Sequence, residues 1–424
     1  MAEKIPTILI IGAGPGGLAL YHSIQKNLNQ PEKKFNVRIF ERERSLARYN
    51  ISINKNGIVA LLDCLPNSLL ARLPEAIPNP IPGEYHAFTA TDETGNFLLH
   101  EPSKQVKSLF ELPGSNNNLS VLVSYRNKLR DLLLEDVNVE WNKKCIGYEE
   151  VDDGVWAIFN DGSKVFGNFL VASDGINSPI RKKKVPELKV MDLGATFVVV
   201  DIAPSKKLVD ELMKYYDNNL VLQSLGPNGD SVFALFRRIP IESNIVNKSD
   251  DEIHYRMSLY YIYNTDFRME GVNLNYDVDD DNSESLVNHV IERIEKYRPP
   301  CELRDLIIKL WKCVPLTTLE NYPYKDYNAP IRRQMRDLDP LSVKPWETTR
   351  VTLLGDAAHA MNLVLGFGAN RALCDAALLT EKLRNFEKYG WKECFKQYEH
   401  EMRINASKDV LVSRGLVLSQ NVPK

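Results

Sequence analysis

The sequence predicts an α/β protein: a Rossmann-like dinucleotide-binding domain, an antiparallel-sheet domain inserted into it, and C-terminal helices that complete it. Three observations predict this. Residues 7–11 (TILII) form a buried-strand run that breaks into Gly12-Ala13-Gly14-Pro15-Gly16-Gly17 and then into the helical opening Leu18-Ala19-Leu20-Tyr21. Two further apolar strands end in an acid beside a glycine: 169–173 (FLVAS) before Asp174-Gly175, and 351–354 (VTLL) before Gly355-Asp356. Between them, residues 190–345 turn to strand runs with alternating apolar positions. A chain of 424 residues also exceeds one ordinary core. The expected division is 1–188 for the first part of the dinucleotide domain, 189–345 for the inserted sheet domain and 346–424 for the completion.

The first strand and its glycines form a GxGxxG motif in the setting that gives it meaning. Gly12 permits the tight turn, Gly14 lets a pyrophosphate approach the backbone, and Gly17 lets the helix lie close on the strand. The helix N-terminus then faces the phosphates. A second strand, 36–40 (NVRIF), closes in Glu41, followed by Arg42. A carboxylate there bonds both hydroxyls of an adenosine ribose, which favours FAD or NAD over NADP as the resident dinucleotide. Amphipathic pieces follow over 58–70, then a proline-rich stretch, 73–82, that excludes a long helix. Tyr125 to Leu129 open a helix with core-facing leucines at 129, 132, 133 and 134, and Arg126 sits on its first turn. Spacing alone makes Arg126 a surface residue. Residues 139–165, with the turn dipeptides Asp153-Gly154 and Asp161-Gly162, read as an antiparallel meander.

Strand runs at 195–202, 220–225, 231–237 and 254–263 predict an open sheet with one apolar face, backed by a helix over 285–297. Tyr255, Tyr260, Tyr261 and Tyr263 read as sheet core. The acidic run 277–281 lacks the central glycine and terminal glutamate of a calcium loop, so a solvated loop is expected. Residues 350–376 then carry a strand that presents Asp356, an AAHAMN turn, the glycine-bearing loop Gly366-Phe367-Gly368 and a helix opening near Ala369-Asn370. Free N–H groups at that helix start would face an electron-rich ligand. His359 reads as a turn-stabilising residue. Amphipathic stretches at 372–386 and 391–403 close the chain.

Composition narrows the class. A net charge of −3 gives no reason to expect nucleic acid as a partner. The six cysteines are scattered without a CxxC pair, which reads as reduced thiols and excludes a zinc framework. No apolar run approaches the length of a membrane span, and no signal peptide is evident. A cytoplasmic protein is expected, of unspecified oligomeric state.

With GxGxxG and Glu41, Asp174-Gly175 and Gly355-Asp356 in this order, the chain resembles the single-component FAD-dependent aromatic hydroxylases, the family of para-hydroxybenzoate hydroxylase, salicylate hydroxylase and the tetracycline-inactivating monooxygenases. The resemblance runs from Ile8 to about Arg403. It implies that Gly12, Gly14 and Gly17 hold the FAD pyrophosphate and that Glu41 holds the adenosine ribose, with Arg42 beside it. It implies that Arg126 reaches the flavin side, that Asp356 binds the ribityl and pyrophosphate portion, and that Gly368, Ala369 and Asn370 lie against the flavin ring. Asp174 and Gly175 are linked with FAD and NAD(P)H. The activity implied is insertion of one oxygen atom of O2 into an aromatic or other electron-rich, hydrophobic small molecule through a flavin hydroperoxide, with NADPH or NADH as transient reductant; no side chain is implied as catalytic. A reductase or dehydrogenase of the same fold, or a FAD-bearing pericyclase or binding scaffold, are the competing readings. No WxWxIP stretch occurs, which disfavours a halogenase. Two departures stand out. Leu363 replaces the family's usual proline in the loop that should wall the substrate against the flavin, and Arg48-Tyr49-Asn50 stand where small residues are common.

Overall fold

The computed structural model describes residues 5–43, 50–76, 84–85, 88–100, 104–105, 121–217, 221–242, 244–265, 278–316 and 329–420. Arg48 and Tyr49, the loop at 114–118 and most of the proline-rich stretch lie outside them. The strands Thr7–Ile11, Asn36–Glu41, Val139–Trp141, Phe169–Ala172 and Val351–Leu353 form one parallel sheet, with Thr7–Ile11 at its centre. Near-continuous apolar runs suit this position, because helices cover both faces of such a sheet. Ile8, Leu9, Ile10 and Ile11 are accordingly buried. Val139–Trp141 pairs in parallel with Asn36–Glu41 and is the sheet's edge, not part of the meander. Three residues are too few for periodicity to separate the two settings. The meander itself is Cys145–Val151, Gly154–Phe159 and Lys164–Gly167.

Gly12 turns the chain with φ +109°, a conformation that strains any other residue. A Cβ on Gly17 would stand 2.1 Å from the Gly12 carbonyl oxygen and 2.6 Å from Ser173 Oγ, so only glycine lets helix Pro15–Asn27 settle on the strand.

The second sheet has seven strands in the order Ile331–Asp337, Met191–Ile202, Tyr255–Asn264, Ser231–Pro240, Val221–Leu225, Phe88–Thr91, Phe97–His100. It is antiparallel apart from one parallel pair, Val221–Leu225 with Phe88–Thr91, so the sheet takes its last two strands from the N-terminal third of the chain. Its faces differ. Met257, Leu259, Tyr261 and Tyr263 pack under helices Ser283–Tyr297 and Glu302–Lys312. Tyr260, one residue out of phase, points to the opposite face with Val199, Val221 and Leu235. The tyrosine group is therefore split: Tyr255, Tyr261 and Tyr263 belong to the core beneath the helices, and Tyr260 faces the parallel-sheet lobe. After Val351–Leu353 come the short helix Asp356–His359, helix Phe367–Leu383 and the long helix Phe386–Gln420, kinked at Gly390.

Gly17→Ala should destabilise the protein by about 1–3 kcal/mol through overpacking. Its urea unfolding midpoint should fall below that of the parent; an unchanged midpoint would contradict the packing assigned to this glycine.

Candidate active site

A cavity of about 1190 Å³ lies between the two sheets. Two helices begin at its wall. Helix Pro15–Asn27 is capped by Gly14 and helix Phe367–Leu383 by Gly366, neither cap supplies a side-chain hydrogen bond, and the first residues of both line the cavity. Their N–H groups and dipoles make that wall attractive to an anion. Gly366 is left-handed (φ 62°), which lets the chain enter the helix at Phe367, two residues before the opening expected at Ala369. A Cβ on Gly14 would meet nothing within 4 Å, so its backbone forms open cavity surface.

The edge of this wall is held by polar contacts. Glu41 Oε2 accepts from the Ala13 N–H at 2.8 Å and Oε1 from the Arg42 N–H at 2.8 Å, which fixes the carboxylate at the cavity. Arg130, buried, donates from Nε to the Ala13 carbonyl at 3.1 Å and lies over the Trp141 ring. Ser173 donates to the Gly12 carbonyl at 2.8 Å. Sequence reasoning passed over Arg130 and Ser173, since neither belongs to a motif. An arginine one helical turn beyond Arg126 was the available signal.

Gly12, Gly14, Gly17, Glu41, Arg42, Arg126, Asp174, Gly175, Asp356, Gly368 and Ala369 all line this one cavity, although they come from six separate stretches of chain. Asn370 does not. Its Nδ2 donates to the Gly366 and Ser52 carbonyls at 2.7 and 2.9 Å, and its Oδ1 accepts from the Asn54 N–H at 2.9 Å. The side-chain polar atoms of Asn370 tie the helix start to strand Asn50–Asn54.

One carboxylate of the cavity, Asp174, is costly where it stands. Both Asp174 oxygens are shielded from solvent and accept no hydrogen bond of ordinary geometry; the neighbouring Ser178 hydroxyl accepts from the Arg181 N–H instead. Burial pushes the Asp174 pKa up to about 6, with Ser178, Arg181 and Arg42 opposing it. Asp356 is exposed to the cavity, and desolvation by the protein around it raises its pKa against the pull of His359 and Arg126. His359 is buried and bonded through Nε2 to Asp375 Oδ2 at 2.6 Å, and the same oxygen accepts from the Gly355 N–H at 2.9 Å. Burial disfavours the imidazolium, but Asp375 outweighs it and raises the His359 pKa. The expected turn-stabilising role describes this arrangement.

Across the cavity stands the second sheet. Phe233, Tyr260, Val221 and Leu235 line it, with Met361, Leu363 and Val364 from the loop after helix Asp356–His359. Leu363 packs on the Val199, Val221, Leu235 and Tyr260 cluster. The loop is closed by a turn from the Gly366 N–H to the Leu363 carbonyl at 3.0 Å, and Asn362 Oδ1 accepts from the Val364 N–H at 3.1 Å. Turn bonds and apolar anchoring supply the order that a proline would otherwise impose.

Residues 329–411 match the FAD binding domain family. A protein of Arthroderma benhamiae assigned as an FAD-dependent monooxygenase is 26% identical, covering 97% of this chain and 91% of its own. The crystal structure of a Photorhabdus luminescens protein assigned as an FAD-containing monooxygenase superposes with a TM-score of 0.72 at 25% identity, covering 99% of this chain and 98% of that one. Klebsiella pneumoniae HpxO, solved with FAD and uric acid, superposes with a TM-score of 0.68 at 18% identity, covering 98% and 89%.

Over nearly its whole length the chain is similar to FAD-dependent monooxygenases.

FAD is thus the cofactor of this monooxygenase, and the cavity fits such a group: an open glycine backbone beside two uncapped helix starts for an anion, and a buried unpartnered carboxylate for a donor. Among the described residues no cluster could hold a metal ion, and no helix is long and apolar enough to cross a membrane. All six cysteines are free.

The raised Asp174 pKa has a consequence for the FAD-free protein. The folded chain keeps a proton on Asp174 up to about pH 6, while the unfolded chain releases it near the ordinary 3.8. Protonation therefore stabilises the fold at low pH, and this stability is lost as pH rises through about 6. Asp174→Asn should raise the melting temperature of FAD-free protein at pH 7.5, by the equivalent of about 1–3 kcal/mol. The gain should shrink at pH 5.0. A loss of stability at pH 7.5 would contradict it.

Proposed function

We propose that the enzyme inserts one oxygen atom of O2 into an electron-rich, largely apolar small molecule, using NADPH or NADH as a transient reductant. The observation that carries this is the single cavity with two unlike walls, one polar and rich in helix N-termini, the other the apolar face of a sheet. When bound, FAD supplies the electron transfer and the oxygen activation. The chain's residues supply position and a dry site.

Gly12, Gly14 and Gly17 form the pyrophosphate cradle in this reading, with the N–H groups of the first helix turn directed at it. Glu41 receives the adenosine ribose, held ready by the Ala13 and Arg42 N–H groups, with Arg42 beside it. Asp174 and Gly175 border the same cradle, and a ligand hydroxyl donating to Asp174 would relieve its unpartnered burial. Asp356 accepts from the hydroxyls of the ribityl chain. Arg126 comes to the flavin side and balances Asp356. The start of helix Phe367–Leu383, at Gly368 and Ala369, lies against the ring and offers positive potential where negative charge collects on reduction. The apolar sheet face and Leu363 keep water from the reacting carbon. The chain has no second GxGxxG, so the nicotinamide is expected to visit the shared cleft and leave. The assigned domain division, 1–188, 189–345 and 346–424, follows the same logic, with the sheet lobe as the substrate wall.

Asp356→Ala should weaken FAD binding at least tenfold in a flavin titration, since a hydroxyl bonded to a carboxylate is worth about 1.5–3 kcal/mol. Undiminished retention would sink that role. The parent should carry FAD that NADPH or NADH bleaches anaerobically, and should transfer label from 18O2 to product. An FAD-loaded protein that neither nucleotide reduces, with any aromatic candidate present, would refute the monooxygenation.

A further inference from the structure

Gln223, Phe233 and Tyr260 pair across three strands of the second sheet, and this row lines the cavity. Tyr260, Ser258 and Arg256 alternate along strand Tyr255–Asn264, so they share one face. Arg256 therefore stands on the cavity-facing side of the sheet, beyond the end of the cavity itself. Both neighbouring strands leave it at this point. Strand Ser231–Pro240 shifts register between Phe236 and Pro240, which pair with Met257 and Tyr255 on either side of Arg256. Strand Met191–Ile202 ends with the pair Ile202 and Met257. A register shift of this kind re-aims the side chain beside it.

A buried carboxylate aims Arg256. Asp201 is 1% exposed and stands opposite Ser258 in the register. Its Oδ1 accepts from the Ser258 hydroxyl at 2.6 Å and its Oδ2 from Arg256 Nη2 at 2.7 Å. Burial pushes the Asp201 pKa up, and Arg256 and Ser258 oppose it. A carboxylate so placed needs its partners, and the charge-assisted bond fixes the guanidinium in one direction.

That direction leads out of the sheet lobe. The Arg256 guanidinium carbon lies 4.9 Å from the centre of the Tyr125 ring. Tyr125 ends strand Val121–Tyr125 and is the N-cap of helix Arg126–Leu133, with extended backbone and no side-chain cap hydrogen bond. The next residue is Arg126, half-buried, which lines the cavity. A cation over a ring is worth about 0.5–2 kcal/mol. This contact therefore bears on the turn from which the Arg126 side chain departs.

We infer that Arg256 is a positioning residue: held by Asp201, it packs on Tyr125 and so sets the Arg126 guanidinium at the flavin side of the cavity. The inference rests on the place given to Arg126 in the proposed function. It makes the sheet lobe part of the cofactor site, since a residue of that sheet directs a cofactor contact made by the parallel-sheet lobe.

The test is a double-mutant cycle read as FAD affinity, by flavin-fluorescence titration of the FAD-free protein. Asp201→Asn and Arg256→Met are made together, so that no charge is stranded. This paired variant should weaken FAD about three- to tenfold, the value of the lost ring contact. In an Arg126→Met background it should add less than about twofold, since it acts through that residue. Tyr125→Leu, which spares the ion pair, should repeat the pattern and carries the test if the paired variant does not fold. Tyr125→Phe, which keeps the ring, should bind FAD within about twofold of the parent. Full FAD affinity in the folded paired variant, or an equal loss in both backgrounds, would overturn the inference. So would a Tyr125→Phe protein as weak as Tyr125→Leu. If Arg126→Met itself binds FAD as the parent does, the place given to Arg126 falls and the inference with it; if Arg126→Met loses affinity while the paired variant keeps it, the inference falls alone. Failure of the monooxygenation reading is separate, because these affinities are measured without reductant or substrate.

Discussion

The site depends on how closely two helices can approach. Helix Pro15–Asn27 and helix Phe367–Leu383 lie so near one another that a Cβ on Gly16 would stand 2.8 Å from Leu354 Cδ2 and 3.0 Å from Ala372 Cβ. Because Gly16 has no side chain and Ala372 only a methyl group, two helix starts separated by some 350 residues of chain open into one cavity. Two helix N-termini, neither silenced by a capping side chain, then act on the same volume. The surrounding polar groups follow from that approach. Asp375 bonds both the Gly355 N–H and His359, and Asn370 ties Gly366 to strand Asn50–Asn54. These contacts keep the loop between the helices in register with the wall.

The opposite wall gains its character from a parity rule. Alternate residues of strand Tyr255–Asn264 go to opposite faces, so the helix-covered core takes Met257, Leu259, Tyr261 and Tyr263 and the cavity takes Tyr260. Leu363 crosses from the loop beside Asp356 to this face and packs there, so the two lobes share apolar contacts at the centre of the cavity. A shift in the loop would therefore be felt on both sides at once: at the carboxylate end through Asp356, and at the sheet through Leu363.

Much of the cofactor end was legible in the sequence, because its chemistry demands local patterns. A turn at Gly12, a close approach at Gly17 and an acid at the end of a strand are each fixed within a few residues. The same locality explains the failures. Val139–Trp141 is three residues long, and nothing in so short a run tells a parallel edge from a meander. The side-chain bonds of Asn370 reach residues more than 300 positions away or the preceding turn, and spacing does not reveal them. Arg130 is hidden for the same reason: its partner is the carbonyl of Ala13. The membership of Phe88–Thr91 and Phe97–His100 in the second sheet rests on a parallel pairing with Val221–Leu225, a contact across about 130 residues.

The central claim is that one continuous cavity serves both cofactor and substrate, with the glycine cradle at one end and the sheet face at the other. A crystal structure of the protein with FAD tests this most directly. The account predicts the pyrophosphate at Gly12 to Gly17 and the ring between the helix start at Gly366 to Ala369 and the row formed by Gln223, Phe233 and Tyr260. A ring turned away from that sheet, or a pyrophosphate bound outside the glycine turn, would contradict it.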